Sequence, residues 1–382
     1  MNNIYDVIIV GGGASGLMCA NFLDKSLKVA IIDKQEVGKK ILATGNGRCN
    51  FTNSNIDYSK YNTTDAKNIV KEFDSCCVID FFKHKGVESY ADGEGRVYPL
   101  SDTAKDIKIA LTNDINAEVV CDEVIKVLKN DLFEIHLASG KRMFASQVVM
   151  ACSNKQITNI LSDFELKFEK TNPVLSGFIC EGFDKRLFGV REDCEVKARV
   201  NGHEFCERGQ VQFRKDGISG IVIFNLSAFM YKNGGLPIAI KLSLLPNISK
   251  QKLADMLNFK KNNCKNLQKK DILFGLLKPE MAAFIIKKSK ISGLEMPISQ
   301  IKTEEIDALV NLIKNLEFFS KQSYEDCQVL AGGVDLKNLK DMQASKGLYF
   351  CGEATHVFGP CGGYNLQWAF SSGYAVAKLI NK

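Results

Sequence analysis

The sequence predicts an α/β fold in which a helix-flanked parallel sheet is split by a large insertion of different character. Three observations carry this. Val7-Ile8-Ile9-Val10 and Val29-Ala30-Ile31-Ile32 are short, continuously apolar runs, the pattern of parallel strands buried on both faces. A glycine turn and a helically spaced segment from Ser15 through Leu23 separate them, so the first 33 residues read as strand, turn, helix, strand. The strand–glycine–helix order returns from Gly347 to the end, whereas residues 174–245 alternate in short segments punctuated by glycine.

Gly11-Gly12-Gly13-Ala14-Ser15-Gly16 fits G-x-G-x-x-G. Gly11 allows the tight turn, Gly13 has no Cβ to block a pyrophosphate, and Gly16 lets the helix lie close to the strand. The helix start at Ala14 and Ser15 presents free N–H groups and the positive end of the dipole. Asp33 closes the second strand seventeen residues beyond Gly16, placed to accept hydrogen bonds from ribose hydroxyls, with Lys34 beside it. This unit predicts dinucleotide binding.

A second glycine loop runs from Gly38 to Asn50. Gly45 and Gly47 open backbone conformations closed to other residues, and Lys40 and Arg48 can neutralise phosphates. By itself the loop also fits a flexible surface segment with incidental basic residues.

Beyond it, residues 65–88 read as helix with Ile69, Phe73, Ile79 and Phe82 inward, and Thr103–Leu111 as another. Glu118–Leu128, Leu132–Leu137 and Gln147–Ala151 read as strands. In the β-rich stretch the strands are Glu195–Val200, Gln210–Phe213 and Pro237–Leu244. Ser249 to about Phe319 turns helical and lysine-rich, and the spacing of Phe259, Phe274 and Phe284 marks helix core. Near the end, Leu348–Cys351 is a buried strand leading to Gly352-Glu353. Gly362-Gly363 then opens a helix toward Ile380, with Leu366, Ala369, Phe370, Gly373, Ala377 and Ile380 inward. The domain boundaries expected are 1–170, 171–247, 248–322 and 323–382, the first and last forming one nucleotide-binding domain.

The net charge of +6 permits nucleic acid without demanding it. Thirteen cysteines without a CxxC pair, and four histidines without ligand spacing, predict no metal site. Free cysteines suggest a reducing compartment, and the absence of a signal sequence and of a bilayer-length apolar run makes the cytoplasm the expected location, with no membrane partner.

Five stretches resemble the BaiN/YhiN-like FAD-dependent flavoproteins, also described as NAD(P)/FAD-dependent oxidoreductases. They are Val10–Gly16, Lys40–Asn53, Gly95-Arg-Val-Tyr-Pro99, Ala331-Gly-Gly-Val-Asp-Leu336, and Gly352-Glu353 with Gly359–Gly373. The resemblance implies a Rossmann-like, glutathione-reductase-like FAD-binding domain interrupted by a β-barrel-like domain and a small helical domain. It implies FAD as the dinucleotide, with Asp33 at the adenosine ribose and Thr44, Gly45, Gly47, Arg48, Cys49 and Asn50 lining pyrophosphate and flavin. Glu353 would meet the phosphate–ribityl linker, and Gly362, Gly363, Tyr364, Asn365 and Leu366 would lie against the ring. Val124, Ala151, Cys152 and Gly352 complete the candidate cofactor-binding set. One departure stands out. After Ala151 the family continues with a Thr-Gly-Gly type turn and a long loop, but here Cys152-Ser153-Asn154 runs quickly to Pro173, which predicts a more open or altered substrate side.

With no second G-x-G-x-x-G, the electron donor is open, NAD(P)H docking transiently being one candidate. Relatives in this family act as reductases of activated carbon–carbon double bonds, in steroid-like bile acid intermediates or in a ribosomal RNA uridine that becomes dihydrouridine. The expected reaction sends hydride to the β-carbon of an enone-like system and a proton to its neighbour. Cys49, Cys361 and Tyr364 are the candidate acids. A small-molecule reductase predicts a closed apolar pocket. An RNA-modifying one predicts a basic rim from Lys260, Lys261, Lys265, Lys269, Lys270, Lys287, Lys288 and Lys290. A flavin-dependent amine oxidase and a non-enzymatic FAD-binding redox sensor or scaffold are the alternatives. Oligomeric state is not readable.

Overall fold

The computed structural model describes residues 4–182, 184–234 and 239–382. It divides into two compact units, Met1–Asn172 with Val329–Lys382, and Pro173–Gln328.

The first unit opens with β1 (Ile4–Val10), α1 (Ala14–Phe22) and β2 (Val29–Asp33). Then come β3 (Thr52–Asn53), α2 (Ala66–Glu72), α3 (Ser75–His84), β4 (Ser89–Ala91), β5 (Arg96–Pro99) and α4 (Ala104–Thr112). β6 (Glu118–Cys121), β7 (Val124–Lys129), β8 (Phe133–Leu137), β9 (Arg142–Met150) and α5 (Asn154–Ile160) complete its first segment. β10 (Phe168–Cys180) begins in the first unit and carries the chain into the second, where β11 (Arg191–Val200), β12 (His203–Phe213), β13 (Gly217–Ser219) and α6 (Ile221–Lys232) are followed by β14 (Ala239–Leu244). α7 (Lys250–Asn263), α8 (Pro279–Ser289) and α9 (Thr303–Lys314) follow, and β15 (Leu316–Val334) leads back into the first unit. The chain ends in the first unit with β16 (Gln343–Ser345), β17 (Leu348–Phe350) and α10 (Tyr364–Ile380).

The main sheet runs β16-β17-β9-β1-β2-β6, with β7 and β8 attached through β9. β17, β9, β1, β2 and β6 are mutually parallel. Pleating sends alternate side chains to opposite faces. Val7, Ile9, Ile31 and Val149 pack with α1 and α10 on one side, and Ile8, Val10, Ala30, Ile32, Val148 and Met150 form the core of the other. The chain leaves β1 toward β2 on one side, while β9 and β17 lie on the other. The carboxyl end of β1 is therefore the switch point where a doubly wound sheet opens its ligand crevice.

The second unit is built on a closed barrel, β10-β13-β12-β11-β14-β15, with its own core shared by α6–α9.

Several elements differ from the sequence reading. The helix expected over 65–88 is two, because Asp74 caps a new start, its carboxylate accepting from Cys77 N–H at 3.0 Å. The strand expected over 118–128 is also two: β6 pairs with β2, and β7 turns away to pair with β8. Within the β-rich stretch the apolar run after Gly220 forms α6, buried against the barrel through Val222, Ile223 and Leu226. The helical pattern ends at Lys314, and Leu316–Phe319 pairs with β14 instead. In α10 the buried face includes Gln367, Trp368 and Ser371, whereas Leu366 and Ala369 are half-buried. Phe284 is core at 5% exposure, but Phe259 and Phe274 are 64% and 72% exposed. Residues 237 and 238 of the expected strand lie outside the described residues.

Candidate functional site

The first glycine turn sits at the switch point, and its glycines are glycines for different reasons. A Cβ built on Gly16 falls 2.0 Å from Gly11 O and 3.1 Å from Ile9 Cγ2, so the α1–β1 approach excludes any side chain. Gly11 has φ +110 and presses on the Ala151-Cys152 backbone, where a Cβ would lie 2.7 Å away. At Gly13 the situation reverses. Its backbone is extended (φ −82, ψ −169), a conformation any residue adopts, and a Cβ there meets nothing within 4 Å. The protein itself does not need glycine at 13, but a group docking on the helix start does. The N–H groups of the first turn of α1 have no intrahelical acceptors and point into that opening.

Asp33 shapes the turn from below. Its Oδ2 accepts from Gly12 N–H at 2.8 Å and its Oδ1 from Gln35 N–H at 2.9 Å. Each oxygen keeps acceptor capacity for a further donor. Lys34 pairs with Glu123 at 3.1 Å.

The second loop is held by left-handed backbone at Gly45 (φ 56), Asn46 (φ 60), Gly47 (φ 84) and Cys49 (φ 57). Non-glycine residues persist there only where surroundings impose it. Thr44 Oγ1 donates to Ile41 O at 2.6 Å, and Cys49 N–H to Thr44 O at 3.0 Å. The Arg48 guanidinium lies 4.6 Å from the centroid of the Tyr98 ring, which ties the loop to the Gly95–Pro99 stretch. Asn50 spends its Nδ2 on Thr52 O and Val97 O, both at 3.0 Å, and leaves its Oδ1 buried without a hydrogen-bond partner.

The chain's end closes on both loops. A Cβ on Gly352 (φ +60) would fall 2.3 Å from Ser15 Oγ, and one on Gly373 2.4 Å from Ser15 O. Gly363 (φ +95) presses on Thr52, with 2.3 Å from a built Cβ to its carbonyl. Asn53 Nδ2 donates to Gly362 O at 3.0 Å, the Thr52 hydroxyl bonds the Gln367 amide oxygen, and Tyr61 O–H donates to Tyr364 O at 2.9 Å. Trp368 Nε1 reaches Gly352 O at 3.2 Å, and Lys40 pairs with Glu353 at 3.5 Å. Residues about three hundred positions apart in sequence thus form one wall. Asn365 serves its own loop, with Oδ1 accepting from Gly359 N–H and Nδ2 donating to Gly359 O, each at 3.0 Å.

The three candidate acids are placed differently. Cys49 is fully buried, and burial pushes its thiol up to about 12. Tyr364 is buried, with its hydroxyl oxygen accepting from Asp57 N–H at 3.1 Å. Cys361 is half-buried beside Gly362. Val124 is buried in the hairpin side of the sheet, and burial holds the Cys152 thiol near 12. Asn53, Asn62 and Arg96 are contributors that motif reading did not single out; Arg96, paired with Asp92 at 2.7 Å, has its Cγ 3.8 Å from a Cβ built on Gly362. Asn62 clamps the 356–358 backbone through His356 O at 3.1 Å and Phe358 N–H at 2.8 Å. Their signal lay in the quoted stretches 40–53 and 95–99 for two of them; Asn62 has none.

The pieces fit an FAD. The open Gly13, the unfilled space at Gly47, whose built Cβ has its nearest neighbour at 4.0 Å, and the orphaned Asn50 Oδ1 face no protein partner. Lys40 and Arg48 supply exposed positive charge.

Among the described residues no helix is long and apolar enough to cross a membrane. The family model described as HI0933-like protein Rossmann domain matches residues 5–379. A 3-dehydro-bile acid delta(4,6)-reductase of Clostridium scindens is 30% identical over 97% of each chain. A ribosomal RNA dihydrouridine synthase of Escherichia coli is 27% identical over 98% of this chain and 97% of its own. Among solved structures, 3-ketosteroid delta1-dehydrogenase from Sterolibacterium denitrificans aligns over the whole of both chains at TM-score 0.50 and 10% identity, a likeness of fold.

Proposed function

The chain belongs to the HI0933-like Rossmann family of FAD-dependent oxidoreductases, and from that premise we propose that it reduces an activated carbon–carbon double bond. The single observation that supports a bound flavin at this wall is Gly13, a glycine the fold does not require in a crevice lined by unpaired helix N–H groups. The whole-length similarity to a double-bond reductase supports the reaction class.

In this reading the N–H groups of Gly13, Ala14, Ser15 and Gly16 take the pyrophosphate. Asp33 offers its remaining lone pairs to the adenosine ribose, and Arg48 and Lys40 balance phosphate charge. Glu353, tied to Lys40, faces the ribityl linker. Asn50 Oδ1 accepts from the cofactor, and the N–H groups opening α10 behind Gly362 and Gly363 face the developing negative charge. FAD, when bound and reduced, would supply the hydride, with NAD(P)H the candidate electron donor. The chain's own part is to orient the substrate's β-carbon and to deliver a proton to the neighbouring carbon. Cys361 is the group for that delivery: of the three candidates it alone is not fully buried, and its thiolate recovers a proton from water.

Anaerobic mixing of the holoprotein with NADPH or NADH, then with a panel of enones and a uridine-containing RNA, tests the reading. The flavin should bleach with one nicotinamide and recolour with a double-bond acceptor. Bleaching by neither, or recolouring by oxygen alone, refutes it. Cys361→Ala should slow recolouring at least about a hundredfold while retaining FAD.

A further inference from the structure

A cavity of about 310 Å³ lies wholly within the second unit, where the paired strands β11 and β14 meet the start of α7 and the end of α9. Four lysines line it: Lys197 from β11, Lys241 from β14, Lys250 from the first turn of α7 and Lys314 from the last turn of α9. Arg208 stands behind them, held by Glu195 and by Asn247 Oδ1, each at 3.2 Å. The flavin chemistry uses none of these residues.

The fold does not balance the charge around this cavity. β11 and β14 pair so that Lys197 lies directly opposite Lys241, and like charges in that position are unfavourable. Glu195 answers Lys197 at 2.7 Å and is shared with Arg208, while Glu317, opposite Lys241 on β15, stays 3.8 Å from its ammonium. The Lys250 ammonium donates to Asn311 Oδ1 at 2.9 Å and the Lys314 ammonium to Leu245 O at 3.0 Å. Both acceptors are neutral, and neither lysine forms an ion pair among the described residues. Five cations against two carboxylates leave an excess of three. Burial pushes the Lys314 ammonium below its ordinary value, and the charges of Arg208, Lys197 and Lys250 push the same way against Glu195. An anion in the cavity relieves all of these at once.

We propose that this cavity binds a diphosphate group, free as inorganic pyrophosphate or carried by a nucleotide. A diphosphate presents several charged acceptor oxygens on two centres, so it can meet ammonium groups arriving from two strands and two helix ends. Ser249 caps α7 through Lys252 N–H at 3.1 Å, and the other N–H groups of that turn add the positive end of the dipole. Cations that converge on one concavity, rather than run along a face, select a small anion over an extended polymer. The inference is independent of the reductase reading.

Isothermal titration calorimetry of the FAD-loaded protein with inorganic pyrophosphate, ADP and sulfate, in roughly 150 mM KCl, tests it. Pyrophosphate should bind with a dissociation constant of about 100 µM or tighter, and sulfate at least about tenfold more weakly. ADP binding more tightly than pyrophosphate assigns the nucleotide as the source, and the reverse order assigns free pyrophosphate. Lys241→Gln with Lys250→Gln, both exposed positions, should melt with the wild type and weaken pyrophosphate binding at least about tenfold. Lys265→Gln removes a like charge beyond the opposite end of α7, about 20 Å away, and should bind as the wild type does. No heat with pyrophosphate, wild-type affinity in the double variant, or an equal loss in Lys265→Gln would overturn the site. Release of flavin in step with pyrophosphate binding would place the anion at the glycine turn and overturn it too.

Discussion

The two units treat their apolar and small residues in opposite ways. In the nucleotide unit no phenylalanine among the described residues is exposed, and the glycines of three distant segments press on one another's backbone. The second unit buries Phe213, Phe284 and Phe318 in its own core but leaves Phe188, Phe259, Phe274 and Phe319 in solvent. One unit is shaped inward, around a cradle whose walls must approach within van der Waals distance. The other combines a barrel core with an outward face. The difference teaches that a glycine or an aromatic ring has to be read by what it touches, since the residue type alone gives both answers.

The largest expected effect tests whether the second unit depends on its buried ion pair. Lys269 lies 3.0 Å from Glu305 Oε2 and 3.3 Å from Ser292 O with almost no exposure. Lys269→Ala leaves a half-covered carboxylate and should cost about 3 kcal/mol or more, read as a lower urea midpoint. A smaller loss would mean that the unit tolerates the charge through water.

Gly16→Ala probes the inward unit directly. With 2.0 Å from a built Cβ to Gly11 O, α1 must shift, at a cost of about 3 kcal/mol. A thermal melt at wild-type temperature would contradict the packing described. Thr52→Val removes the hydroxyl that bonds the buried Gln367 amide across the chain's two ends, and about 2 kcal/mol should follow.

The mildest change is acid. Burial raises the Glu305 carboxyl, but the Lys302 N–H and the Lys269 ammonium outweigh it and hold the group below its ordinary value. A lowered folded value means its contribution is complete above the unfolded carboxylate value of about 4.3 and fades as pH falls through the folded one. Stability measured between pH 7 and pH 3, roughly, should therefore drop only at the acid end, and Glu305→Gln should flatten that drop.

Much of the cradle was legible because its chemistry is local. A strand, three glycines, a helix and an acidic strand end follow one another within thirty residues, and the fold keeps them in that order. The pairing of Gly352 with Ser15 and of Gly363 with Thr52 was not legible, since no spacing in sequence encodes contacts between chain ends. The boundaries failed where tertiary packing overrides pattern. Residues 221–232 are apolar on most sides and become a helix because the barrel wall covers them. Leu316–Phe319 joins β14 although a helical pattern runs into it. Phe259 failed for a third reason: periodicity places a residue on a face but does not say whether that face has a neighbour.

The most direct test of the account compares wild type with Gly13→Val. The substituted backbone conformation is ordinary and the space around it is empty of protein. The apo variant should melt with the wild type, while its affinity for FAD falls about a hundredfold, as a crowded ligand contact of roughly 3 kcal/mol requires. A Gly13→Val protein that binds FAD as tightly as the wild type would place the pyrophosphate elsewhere and contradict the cradle.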